Sequence, residues 1–208
     1  MGIKEFKIRC SAIGKIMTNP RSKTETLSET CKSYLEEWLK QELYGTRKEI
    51  NSKYLSKGLE VEAAAADYYT TERGLGFILQ NMDNFENDYF TGTPDLLLAD
   101  EVIEMKASWD CFTFPLFDNE PDKGYWMQAN GYMHLTGKRK AKLVFTLQNT
   151  PEELEYNEPV SYDHLPSNLR IKEFEFNYDE EFINEVIERV KLCRDYIQSL
   201  INEIEAKP

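Results

Sequence analysis

The chain has 208 residues, and its 25 Lys+Arg against 37 Asp+Glu give a formal net charge of −12. No apolar run approaches the ~20 residues of a membrane helix, and the start (Met1-Gly2-Ile3-Lys4-Glu5-Phe6-Lys7) lacks the apolar stretch of a secretory signal, so a cytoplasmic protein with no membrane partner is expected. The acid excess excludes a protein that coats nucleic acid through a uniformly basic surface, while 41% hydrophobic and 12% aromatic residues exclude a disordered acidic tail.

Charge is uneven: residues 1–57 hold 12 Lys+Arg against 7 Asp+Glu. A single domain over 1–208 is expected, made of a basic N-terminal helical arm (1–57), a catalytic core (58–148), and an edge strand with a C-terminal helix (170–206). Cys10, Cys31, Cys111 and Cys193 show no CxxC spacing, which points to free thiols rather than a zinc or iron–sulfur site. Only His134 and His164 are present, which argues against a His-based metal site or a Ser-His-Asp triad.

In chain order, Ser28 to Leu43 reads as a helix, capped by Ser28 and closed by Gly45. A second helix is predicted from Ser52 to about Thr71, with Leu55, Leu59, Glu62, Ala66 and Tyr69 on one stripe. This sets Glu62 on the apolar face, where a carboxylate needs a partner or a metal, and Glu60 on the opposite side. Phe77-Ile78-Leu79, Tyr89-Phe90-Thr91, Asp95 to Leu98 and Glu101 to Ala107 read as short strands. Residues 108–124 read as an aromatic-rich loop, Pro121 to Thr136 as a helix closed by Gly137, and Lys140 to Gln148 as a strand. A loop over 149–168 precedes an edge strand, Ile171 to Phe176. The last helix starts near Asp179, with apolar residues from Phe182 to Ile204 at 3–4 spacing over about 25 residues, roughly 40 Å. This order predicts an α/β (α+β mixed) fold, a central mixed sheet flanked by helices with a long C-terminal helix.

The chemistry concentrates in Pro94-Asp95 and Glu104-Met105-Lys106. If the two flanking strands form a hairpin turning at Ala99-Asp100, the register that pairs Leu98 with Glu101 also pairs Asp95 with Glu104, about 4.5–5.5 Å apart at Cβ. Facing carboxylates repel, and a hard divalent cation, Mg²⁺ or Mn²⁺, removes the penalty. Lys106 shares the face of Glu104. Two carboxylates, a metal and an ammonium are what phosphodiester hydrolysis needs.

Pro94-Asp95 with Glu104-Met105-Lys106 resembles the PD-(D/E)XK nuclease signature. Gln128-Ala129-Asn130-Gly131-Tyr132 resembles the QxxxY motif of its RecB-like and lambda-exonuclease-like branch. Ile8-Arg9-Cys10-Ser11-Ala12 and Gly58-x-x-x-Glu62 are similar to the serine-bearing start and helix-borne glutamate of lambda-type (YqaJ-like) recombination exonucleases. The resemblance implies a restriction-endonuclease-like core and Mg²⁺-dependent (or Mn²⁺-dependent) 5′→3′ digestion of linear double-stranded DNA from its ends. The 3′ single strands left would serve phage-type recombination with a single-strand annealing protein. It implies a phage or prophage enzyme of the bacterial cytoplasm, with a trimeric ring as the family's homo-oligomer. Asp95, Glu104, the Met105 carbonyl and Glu62 become metal ligands, Lys106 the catalytic lysine, and Gln128 an orienting residue. Ser11, Arg9, Lys4 and Tyr132 become DNA or 5′-phosphate contacts. Lys4 stands where the family usually has an arginine, and Lys is the less directional phosphate donor. Lys138-Arg139-Lys140 is a second expected DNA contact. A structure-specific or restriction-type endonuclease of the same fold, or a non-catalytic DNA-binding assembly protein, are the alternatives.

Overall fold

Strand β5 (Glu101–Ser108) organises the molecule. The computed structural model describes residues 3–47, 53–76, 78–149 and 160–206, with the backbone alone for 53–60, 62 and 63. β5 pairs antiparallel with β4 (Leu96–Leu97) on one side and parallel with β6 (Lys140–Leu147) on the other. β7 (Ile171–Asn177) closes the far edge, giving the order β4-β5-β6-β7. A parallel pair cannot be joined by a tight turn, and helix α4 (Lys123–Thr136) makes the crossover.

The two faces of β5 meet different helices. Ile103 and Met105 pack with Ala65, Ala66 and Tyr69 of α3 (Lys53–Glu72). Val102 instead joins the larger core with Ala129, Tyr132 and Met133 of α4. Because side chains alternate along a strand, Glu104, Lys106 and Ser108 follow Val102 to the α4 side.

The helix ends follow the expected capping chemistry. In α2 (Glu29–Tyr44), Ser28 Oγ accepts from the Cys31 N–H at 3.1 Å. Asp122 caps α4 and Asp179 caps the 26-residue α5 (Glu180–Glu205) in the same manner. Gly45 and Gly137 end α2 and α4 in the left-handed region.

The mixed sheet flanked by helices is present, joined by a second, smaller sheet. It has the order β1-β3-β2, with β1 (Ile8–Arg9) parallel to β3 (Phe90–Gly92) and β2 (Phe85–Glu86) antiparallel to it. The expected strand at Phe77-Ile78-Leu79 is corrected: Ile78 and Leu79 lie in irregular chain, and Phe77 lies outside the described residues. The segment folds back on the β4 side instead, where the Asn81 N–H donates to the Asp95 carbonyl at 2.7 Å.

The described residues of the basic first quarter, 3–47, pack into the core rather than extending from it as an arm. Phe6, Ile8, Cys10, Ile13, Ile16, Cys31, Leu35 and Leu39 pack with Val186, Val190, Cys193 and Ile197 of α5. Each large apolar side chain so buried contributes about 1.5–3 kcal/mol. The four-residue α1 (Ile13–Ile16) belongs to this packing. All four cysteines are free, and Cys31 Sγ lies 3.8 Å from Cys193 Sγ between α2 and α5.

Candidate active site

The hairpin has the expected register, with Leu96 opposite Ile103 and Leu97 opposite Val102. Asp95 immediately precedes β4, and its Oδ2 accepts from the Met105 N–H at 2.6 Å. This bond ties one expected ligand to the backbone of the other strand. Asn81 holds the turn from behind, its Nδ2 donating to the Pro94 carbonyl at 2.9 Å.

Glu104 is buried, and its Oε1 collects two donors: Lys106 Nζ at 2.5 Å and Gln128 Nε2 at 2.7 Å. Gln128 Nε2 also donates to the Tyr132 hydroxyl oxygen at 3.0 Å. The other oxygen, Glu104 Oε2, is buried with no hydrogen-bond partner. An orphaned carboxylate oxygen is costly, and it is the acceptor a hard cation would complete. Burial first, and then the Glu104 carboxylate, push the Asp95 carboxyl up to about 7, as expected of two acids sharing one site. Burial alone would lower the Lys106 ammonium, but the Glu104 and Asp95 carboxylates outweigh it and hold the pKa up. The donor set is thus hard oxygens with surplus negative charge, which fits Mg²⁺ or Mn²⁺. Among the described residues no three His, Cys, Asp or Glu side chains group to hold a metal. The Glu62 carboxylate lies outside the described residues; its backbone is on α3.

Two glycines allow close packing at α4, Gly92 of β3 against Tyr132 and Gly131 of α4 against Cys10 and Ile13. A Cβ on Gly92 would stand 2.6 Å from Tyr132 Cε1, and one on Gly131 would stand 2.8 Å from Cys10 Sγ. This close approach positions the Tyr132 ring. Burial, then Glu104, raises the Tyr132 pKa, so it stays a neutral phenol.

Tyr125, Gln128 and Tyr132 follow one another on one face of α4. Beside the Tyr132 end is a cleft of about 510 Å³, lined by Arg9, Ser11, Lys7, Arg47 and Thr93 among others. A second cleft, of about 420 Å³, shares Ser11 with the first and adds Tyr125 and Gln128. A third, of about 280 Å³, shares Tyr125 and is lined by Lys106, Ser108, Trp109 and Phe145. The structure thus brings Asp95, Glu104, Lys106, Gln128 and Tyr132 together, and sets Arg9 and Ser11 in the adjoining cleft. Lys4 is exposed and does not line that cleft. In the basic cluster, Lys138 Nζ donates to the Ala99 carbonyl at 3.0 Å and Arg139 stacks on Tyr178, so two of its three side chains are engaged within the chain.

Sequence reasoning missed Lys7, Arg47, Asn81 and Tyr125. Tyr125 carried a usable signal, because it precedes Gln128 by three and Tyr132 by seven on a helix. Lys7 and Arg47 were marked only collectively, by the basic excess of residues 1–57, and nothing local marked Asn81.

Strand, hairpin, crossover helix and paired acids with a following lysine define a PD-(D/E)XK nuclease fold. No family model and no curated protein matches the sequence. Among solved structures, a phage-related exonuclease from Haemophilus somnus 129PT is 31% identical, with a TM-score of 0.87 and 97% of each chain covered. An alkaline exonuclease from Laribacter hongkongensis has the same fold at 21% identity and a TM-score of 0.73, covering 97% of this chain and 92% of its own. The same enzyme solved with dAMP matches at 22% identity and again a TM-score of 0.73. The chain belongs to the lambda-exonuclease-like family of phage-related exonucleases.

Proposed function

We propose that this exonuclease digests linear double-stranded DNA from 5′ ends with a divalent metal and leaves 3′ single strands for phage-type recombination. The observation that carries the reading is the Asp95–Glu104 pair, with Glu104 Oε2 buried and unpartnered and Lys106 on the same carboxylate. Asp95, Glu104 and the Met105 carbonyl would hold Mg²⁺ or Mn²⁺, with Glu62 as a further acid. Such an ion supplies Lewis acidity and a water of lowered pKa. Lys106 neutralises charge that builds on the scissile phosphate, and Gln128 keeps Glu104 oriented through its 2.7 Å bond. Arg9 and Ser11, in the cleft beside Tyr132, take the terminal 5′-phosphate, and Lys4 is a more distant contact. A single-strand annealing protein as partner, a ring-shaped homo-oligomer and a bacterial cytoplasmic location complete the reading.

Digestion of linear duplex labelled at either the 5′ or the 3′ terminus tests it. Early release of the 5′ label as mononucleotide, faster from 5′-phosphate than from 5′-hydroxyl ends, is expected. Early release of the 3′ label overturns the polarity.

A further inference from the structure

We propose that the cleft beyond Lys106 is a nucleobase subsite. It takes the base of the nucleotide on the far side of the scissile phosphate from the Arg9–Ser11 cleft. The inference rests on the proposed nuclease reading and extends it to a residue set with no assigned role.

The chemistry of the walls points to a flat, partly polar ligand. Trp109, Tyr125 and Phe145 line the cleft, together with Thr113 and the lysine of the acidic cluster. Phe145 lies opposite Lys106 in the parallel ladder, so both stand on the same sheet face. Tyr125 meets Phe145 edge to face at 5.8 Å, and Lys106 Nζ stands over the Tyr125 ring at 5.8 Å. Aromatic walls of this kind stack on any base, because every base has a π-face.

Placement selects which base. The clefts touch Tyr132, then Gln128 and Tyr125, then Tyr125 again along α4; Gln128, in the middle one, donates to Glu104, and Lys106 lines the third. A strand whose end lies by Ser11 and whose scissile phosphate lies by Lys106 delivers its next base to the Trp109 end. The loop that carries Trp109 is well anchored: Asp110 Oδ1 accepts from the Phe112 and Thr113 N–H groups, and the Tyr162 hydroxyl oxygen accepts from the Cys111 N–H. The wall is therefore fixed before a ligand arrives.

The test uses linear duplexes that carry an abasic residue at the nucleotide just beyond the scissile phosphate, against unmodified duplex. Cleavage is followed with Mg²⁺, and binding by fluorescence anisotropy with Ca²⁺. Wild type is expected to lose about tenfold in kcat/KM and in affinity on the abasic duplex, the scale of one base–aromatic stack. Trp109→Ala, checked for folding by circular dichroism, should lose as much on normal duplex and show no further loss on the abasic one. Trp109→Phe should restore the discrimination. Wild type indifferent to the abasic residue, or Trp109→Ala still sensitive to it, overturns the subsite and leaves the cleft to a protein contact. If wild type cleaves neither duplex, the nuclease reading falls by itself, and the binding arm still decides the subsite.

Discussion

At the scale of single residues, the site works by setting two acids against each other and letting one lysine and one glutamine hold half of the result. Lys106 and Gln128 saturate Glu104 Oε1 and leave Oε2 bare. Lys106→Ala or Glu104→Ala is therefore expected to lower kcat by at least about 10²–10³-fold while leaving duplex binding and the circular dichroism spectrum unchanged; turnover near wild type in either variant contradicts the roles assigned here. Asp95 makes a pH prediction. Its folded pKa is raised from 3.8 to about 7 by burial and by Glu104, so the folded state keeps a proton that the unfolded state has lost. The stability this contributes is fully present below pH ~4 and is lost as the pH rises through about 7. Melting curves in EDTA should show the wild type losing stability relative to Asp95→Asn across that window. Parallel curves would mean that Asp95 is not held near Glu104 as described.

At the scale of elements, what could be read from the sequence depended on how local the cause was. The ends of α2 were readable because Ser28 and Gly45 cap it locally, as was the close of α4 at Gly137 and the start of α5 at Asp179; the start of α4 at Lys123, capped by Asp122, falls two residues after the expected Pro121. The β4–β5 register was readable because a short turn fixes it and alternation does the rest. Of the small sheet only β3 was readable, as the expected strand Tyr89-Phe90-Thr91; β1 and β2 have two residues each, too few for a period-2 pattern, and Ile8 finds its partner Phe90 far along the chain. A still longer separation, 162 residues between Cys31 and Cys193, hid the burial of the basic first quarter against α5. Gly92 is where this long-range packing meets the site. Gly92→Ala would push a methyl group into Tyr132 and Cys10, and is expected to cost about 1–3 kcal/mol, read as a lower urea midpoint at unchanged m. A midpoint equal to wild type would show that β3 and α4 are not in close contact.

At the scale of the whole molecule, a net charge of −12 and a DNA substrate are compatible because the charges are segregated. Residues 58–208 hold 13 Lys+Arg against 30 Asp+Glu, whereas Lys7, Arg9 and Arg47 of the basic first quarter line one cleft. Grip on DNA should then come from few phosphates. Arg9→Ala combined with Arg47→Ala is expected to reduce the slope of log affinity against log salt by about two, measured by anisotropy in Ca²⁺; an unchanged slope would place the phosphate path elsewhere. No helix among the described residues is long and apolar enough to cross a membrane.

The central claim is that the Asp95–Glu104–Lys106 cluster is a metal-dependent site acting on DNA ends. The most direct measurement compares linear and covalently closed circular duplex, with wild type and Lys106→Ala, in Mg²⁺ and in EDTA. The account predicts mononucleotide release from linear duplex by wild type in Mg²⁺ alone, with closed circles untouched and Lys106→Ala inactive. Nicking or linearisation of closed circles, or release of nucleotides in EDTA, would contradict it.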